Sequence, residues 1–139
     1  MARMFLITGV PGSGKSTYAE LIKNKHKTAP IEHYEADMFF IDKNGNYNWN
    51  PKQLHYAHEW CKNSVEHAMS IGHDVIVSNT FITAKDRKPY FDLAKSYGYD
   101  IQVIECTGKY QNIHGVPDEK VEALRQKYQP VKFEEYRYE

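Results

Sequence analysis

One stretch constrains this chain more than any other. Gly9-Val10-Pro11-Gly12-Ser13-Gly14-Lys15-Ser16 fits the spacing G-x-x-x-x-G-K-[S/T] at every position. In a chain of 139 residues the odds of a chance match are about one in a few hundred. The context tightens the reading. Met4-Phe5-Leu6-Ile7-Thr8 is nearly continuously apolar, as in a strand covered on both faces, and the glycines stop it. A helix is predicted from Lys15 to about Lys27, with Tyr18, Leu21 and Ile22 on its buried side. Within the loop, Gly12 and Gly14 permit backbone angles that turn successive N–H groups inward around an anion. The start of the helix adds partial positive charge. Lys15 is a mobile cation for the far phosphates, and the Ser16 hydroxyl is a hard oxygen suited to Mg²⁺. Pro11, Gly12, Ser13, Gly14, Lys15, Ser16 and Thr17 are therefore expected to hold a nucleoside triphosphate, ATP or GTP, with Mg²⁺.

Beyond the loop, strand and helix patterns alternate. Ile31 to Ala36 is predicted as a short second strand. Residues 41–50 form a turn-rich loop with Asn44-Gly45 as its tight turn, and Asn50-Pro51 is a cap followed by proline in the first helical position. Leu54, Ala57, Cys61, Val65 and Ala68 recur at three- and four-residue spacing, which predicts a long helix up to Gly72. Val75-Ile76-Val77 centres a buried strand over 74–78. Thr83-Ala84-Lys85-Asp86 is a capping box opening a helix with Tyr90, Ala94 and Tyr97 on its apolar side and Gly98 at its end. A fourth strand is predicted over 101–106 and a last helix over 117–128. This order predicts an α/β chain of the P-loop NTPase class: a parallel sheet of about four strands with helices on both faces. The tail from Pro130 to Glu139, half aromatic and half charged, is expected to form an extra edge strand or an oligomer contact.

Composition narrows the setting. Lys plus Arg is 18 and Asp plus Glu is 18, so the chain is not held to nucleic acid by bulk charge. Cys61 and Cys106 give no disulfide framework, which fits a reducing cytosol. No apolar run approaches the roughly 18 residues of a membrane span, and no signal-peptide pattern precedes the fold. One cytoplasmic domain over residues 1–139, without a membrane partner, is expected.

In an open parallel sheet, ligands bind beyond the carboxyl ends of the strands. After the second strand comes Asp37, placed to accept a proton from an attacking hydroxyl or to hold Mg²⁺ through water; a capping or solvated aspartate is the alternative. After the third come Ser78-Asn79-Thr80, without the aspartate that often supports the metal there, so Asn79 or Thr80 is at best in the metal's outer sphere. After the fourth, residues 107–116 form a polar segment placed as a lid. Phosphoryl transfer gains from a cation on the moving group, and Lys109 and then Arg125 are the candidates, against a solvated surface charge for each. His114 lies in the lid, as a ligand contact or a loop-structural residue. His55, His58 and Cys61 recur every three residues, yet no second cluster completes four ligands, so packing is the reading for them.

Taken together, these residues resemble the small P-loop kinases related to the kinase domain of bacteriophage polynucleotide 5′-hydroxyl kinase. The likeness is to a branch of AAA-type or zeta-toxin-like small ATPases, often phage-encoded and also found beside a ubiquitin-ligase-binding protein. It is carried by the segment from Gly9 to Thr17, by Ala36-Asp37-Met38-Phe39, by Ala57-His58 with Cys61, by Val77-Ser78-Asn79-Thr80, by Pro89-Tyr90 with Leu93-Ala94 and Gly98-Tyr99, and by Asn112-Ile113-His114-Gly115-Val116-Pro117. The resemblance implies that Lys15 and Ser16 hold the triphosphate and Mg²⁺ and that Asp37 is the general base for a 5′-hydroxyl. Three departures stand against it. Gln111 occupies the place of the family's lid arginine, Phe40 that of an acceptor-binding arginine, and the carboxylate often found in the third-strand segment is missing.

The preferred reading is an ATP-dependent kinase moving the γ-phosphoryl group to a hydroxyl, with a nucleic acid 5′ end as acceptor. The alternatives are a small-molecule or nucleoside kinase, and a nucleotide-binding regulatory or interaction protein with little turnover. The first alternative is favoured by the balanced charge, the second by the two replaced arginines.

Overall fold

The computed structural model describes residues 2–26, 29–110 and 115–137. Its strands are β1 (Arg3–Thr8), β2 (Ile31–Tyr34), β3 (Asp74–Asn79) and β4 (Asp100–Glu105). Its helices are α1 (Lys15–Lys25), α2 (Leu54–Ser70), α3 (Ala84–Ser96) and α4 (Asp118–Lys127). The sheet is parallel throughout, in the order β2-β3-β1-β4. Successive residues of β1 point to opposite faces, and both faces are covered. Met4 and Leu6 join Val75 and Val77 beneath α2 and α3, packing on Ala57, Cys61, Val65, Phe91 and Ala94. Phe5 and Ile7 join Ile76 on the other face, under Ala19 and Ile22 of α1. The expected architecture is the observed one. No helix among the described residues is long and apolar enough to cross a membrane.

Local signals placed most boundaries. Asn50 accepts a hydrogen bond from the Lys52 N–H (3.0 Å), and Pro51 opens a short 3-10 turn that runs directly into α2. Thr83 and Asp86 close the capping box of α3 reciprocally. Helix α1 is rotated from the prediction, whereas α3 buries the expected Tyr90 and Ala94 and exposes only Tyr97. On α1 the sheet receives Ala19 and Ile22, with the His26 ring against Phe5, while Tyr18 and Leu21 are 42% and 52% exposed. Residues 19, 22 and 26 share one face, and each neighbour in sequence lies about 100° round the helix. On α3 the buried stripe is Arg87, Tyr90, Phe91 and Ala94, and Tyr97 is exposed at the helix end.

β2 stops at Tyr34, earlier than expected. Asn79 Oδ1 accepts the Ala36 N–H (2.8 Å) and turns the chain into a 3-10 segment, Ala36–Phe40. Over its described residues, 130–137, the tail is not an edge strand. Phe133–Glu135 is a single 3-10 turn that packs back on α3, with Tyr136 against Phe91 and Glu135 paired to buried Arg87.

Candidate functional site

The loop between β1 and α1 closes on itself. Gly9 N–H donates to Thr80 O, and the Thr8 hydroxyl donates to the same carbonyl (2.8 Å). A Cβ on Gly9 would collide with the Ser13 side chain and sit 2.7 Å from the Cys106 carbonyl, so only glycine fits there. Gly14 caps α1 in the left-handed region (φ 102°), with no side chain closing the helix. The first N–H groups of α1 therefore lack acceptors within the helix, and the residues that carry them line a cavity of about 420 Å³. Ser13 Oγ is buried and, among the described residues, has no hydrogen-bond partner.

Lys15, Ser16 and Thr17 line that cavity with Pro11, Gly12 and Gly14; Ser13 does not. The Lys15 ammonium folds back onto two carbonyls, Gly9 O (2.7 Å) and Val10 O (3.0 Å). Burial pushes its pKa below the usual lysine value, and the nearby Glu35, Cys106 and Asp37 offset part of that.

Two carboxylates complete the wall. Asp37, carried by the 3-10 segment after β2, lines the cavity and accepts a hydrogen bond from the Tyr47 hydroxyl (3.3 Å). Burial, then the charge and hydrogen bond of Asp37, push the Tyr47 phenol up to about 12. Glu35, two residues before Asp37, lines the cavity as well. The Ser78 hydroxyl donates to Glu35 Oε1 (2.9 Å), and His33 Nε2 lies 3.2 Å from the same oxygen. Burial alone would raise the Glu35 pKa; His33, Ser78 and Lys15 outweigh it and hold the group below its ordinary value. The signal for Glu35 was its place at the end of a strand, one residue beyond β2.

Other expected residues lie elsewhere or do other work. Asn79 is a strut: its oxygen holds the Ala36 N–H, and its amide nitrogen approaches Cys61 Sγ at 3.8 Å. His58 was read as packing, yet it lines the cavity beside Leu54. Lys109 and Arg125 meet each other's neighbourhood in a second hollow of about 180 Å³, with Gly9, Val10, Cys106, Thr107 and Tyr128. Gly108 N–H binds Ser13 O (3.1 Å) and Tyr110 N–H binds Gly12 O (2.7 Å), which lays Tyr110 over Gly14. Lys109 stands between these two tethers and lines the second hollow, not the first. Arg125 is paired with Glu122 on α4 (3.1 Å). Gln111 and His114 lie outside the described residues.

A family model described as AAA domain matches residues 4–130. Human NEDD4-binding protein 2 is 32% identical over 136 residues, which covers 91% of this chain and 8% of that protein. The chain thus spans a small fraction of that relative's length. Among solved structures, a chain of the Pnkp1/Rnl/Hen1 RNA repair complex superposes with a TM-score of 0.70 at 18% identity, covering 91% of this chain and 44% of that one. An APS kinase from Mycobacterium tuberculosis, in complex with AMPPNP and APS, gives a TM-score of 0.60 at 19% identity, covering 88% and 67%. At these identities the likeness is one of fold.

Proposed function

Because this chain belongs to the AAA domain family, matched over residues 4–130, we propose that it is a phosphotransferase moving the γ-phosphoryl group of ATP to a hydroxyl. One observation carries the reading: Lys15, Ser16 and Asp37 face the same cavity. The N–H groups at the start of α1 and the Lys15 ammonium would hold the triphosphate. Ser16, a hard hydroxyl oxygen beside two carboxylates, fits Mg²⁺, which when bound neutralises charge on the phosphate oxygens. The acceptor hydroxyl attacks the γ-phosphorus, its proton passes to Asp37, and the bond to the β-phosphate oxygen breaks to release ADP. Lys109 and Arg125 line a different hollow, so stabilising charge in this scheme rests on Lys15.

A 5′-hydroxyl of a nucleic acid is the preferred acceptor. It draws support from the resemblance to the phage kinases and from the fold shared with a member of an RNA repair complex. A nucleoside or other small molecule is the second reading. The observation favouring it is that Lys15 is the sole Lys or Arg lining the cavity among the described residues, whereas a polynucleotide channel tracks its backbone with several cations.

An acceptor screen with labelled ATP and Mg²⁺ tests this. Transfer is expected to fall about 10²- to 10⁴-fold in Asp37→Asn, the range of a positioned general base, while calorimetry shows ATP affinity kept. Transfer undiminished in Asp37→Asn would remove Asp37 from this role, and ATP binding with no transfer to any acceptor would leave a nucleotide-binding protein without turnover.

A further inference from the structure

We propose that Glu35 supplies the carboxylate that organises the divalent cation of this site, the task for which Ser78-Asn79-Thr80 offers no acidic residue. The proposal rests on the nucleotide reading above and deepens it. Its ground is a displacement by one strand. β2 and β3 pair with Tyr34 beside Val77, so Glu35 follows immediately alongside Ser78 at the carboxyl end of the sheet. A carboxylate missing from β3 is thus present next door, in the same cavity as Ser16 and Lys15.

The side chain is held as a ligand would be. Its two protein partners, the Ser78 hydroxyl at 2.9 Å and His33 Nε2 at 3.2 Å, both meet Oε1. His33 Nε2 also lies 2.8 Å from Ser78 Oγ, which closes a three-membered brace. Among the described residues Oε2 has no partner, on a side chain only 18% exposed. Carboxylates that serve a metal are oriented this way, with one oxygen fixed by outer hydrogen bonds. Magnesium keeps several waters and takes one or two carboxylates together with phosphate oxygens, so one free carboxylate oxygen in the same cavity as Ser16 fits its needs. A plain ion pair with Lys15 explains the arrangement less well. The Lys15 hydrogen bonds go to Gly9 and Val10 carbonyls, and Glu35 acts on it only through space.

The roles of the two carboxylates then separate. Asp37, on the 3-10 segment and touched by the Tyr47 hydroxyl, serves the acceptor; Glu35, braced against β3, serves the metal.

The test is calorimetric titration of the intact protein with AMPPNP, with and without Mg²⁺, together with Mn²⁺ binding followed by electron paramagnetic resonance. In the wild type, metal is expected to tighten nucleotide binding. In Glu35→Gln, metal-free affinity is expected to hold or improve, since a negative charge facing the phosphates is gone. The gain from metal should shrink about ten- to a hundredfold, the range for disturbing a metal's supporting residues. Ser78→Ala, which keeps the carboxylate and removes its brace, should lose part of that gain, and it carries the test if Glu35→Gln does not fold. An undiminished metal gain in Glu35→Gln overturns the proposal even if transfer is lost. A wild-type protein that binds no nucleotide removes the functional reading itself, a different and distinguishable failure.

Discussion

Arg87 and Lys15 are both cations drawn away from water, and the protein answers them in opposite ways. Arg87 is fully buried, and its donors are taken up by carboxylate and carbonyl oxygens. Nε and Nη2 bind Glu135 at 2.9 and 3.1 Å, and Nη1 binds the Phe81 carbonyl at 2.7 Å. Lys15 has two backbone carbonyls and no carboxylate within hydrogen-bond reach; Glu35 and Asp37 act on it from further away. A half-buried charge without a hydrogen-bonded carboxylate is costly, and here desolvation depresses the lysine's proton affinity. The contrast separates a cation meant to stay from one meant to be met. Arg87 locks the tail onto α3 and holds Phe81, whose φ of 47° is uncommon for a bulky residue, in place at the edge of the site. Lys15 lines the cavity with its ammonium on two carbonyls and no carboxylate hydrogen-bonded to it.

Breaking the permanent pair should have the largest effect on stability. Arg87→Ala leaves the Glu135 carboxylate and the Phe81 carbonyl without their donor, and is expected to destabilise the fold by about 3–5 kcal/mol in denaturant titration. Replacing Arg87 and Glu135 together by apolar residues of similar volume should recover most of that loss, because no uncompensated charge remains. Lys15→Met should behave oppositely: unchanged or raised melting temperature without nucleotide. Its ATP affinity should fall by about 1.5–3 kcal/mol, the usual worth of a hydrogen bond to a charged group, seen as loss of the thermal shift on adding ATP with Mg²⁺. If Lys15→Met unfolds the protein as readily as Arg87→Ala, the two cations are not different in kind.

The same contrast explains what the sequence could reveal. The loop around Lys15 is legible because every part of it lies within a few residues and acts through backbone geometry. The capping box at Thr83, the Asn50-Pro51 start and the α2 stripe are local signals too, and they stand where expected apart from Leu54, which is exposed at the head of the stripe. Arg87 carries no such signal. It sits among Lys85, Asp86 and Lys88, and its partner is 48 residues away. The tail's packing on α3 was illegible for the same reason, since its aromatic and charged residues are complementary to a surface that only the fold creates. At the sheet's end, Asp37 is legible as the carboxylate that follows the second strand. Glu35 was hidden because its brace, Ser78, belongs to another strand. Lys109 and Arg125 line another hollow: spacing places Lys109 on a loop, and the tethers of Gly108 and Tyr110 decide which wall it joins.

A smaller effect sharpens the comparison by pH. Burial would raise the Glu135 pKa, but the Arg87 hydrogen bonds, the Lys132 N–H and the two positive charges outweigh it and hold the carboxyl below its ordinary value. A carboxylate whose folded pKa is depressed contributes stability that is present above the unfolded value and is lost as pH falls through the folded one. The wild-type melting temperature should therefore decline on acidification below the usual carboxylate range more steeply than that of Glu135→Gln. Lys15 has the inverse signature. Its pKa is depressed as well, but for a cation the unfolded chain then binds more protons in the alkaline range just under the usual lysine value, so stability should rise with pH there. The difference between wild type and Lys15→Met isolates that slope. A fully buried and a half-buried cation giving pH dependence at opposite ends of the scale, one through its partner and one through itself, is the outcome expected if one is matched and the other waits for an anion; an alkaline slope identical in wild type and Lys15→Met would show that Lys15 is no less satisfied than Arg87.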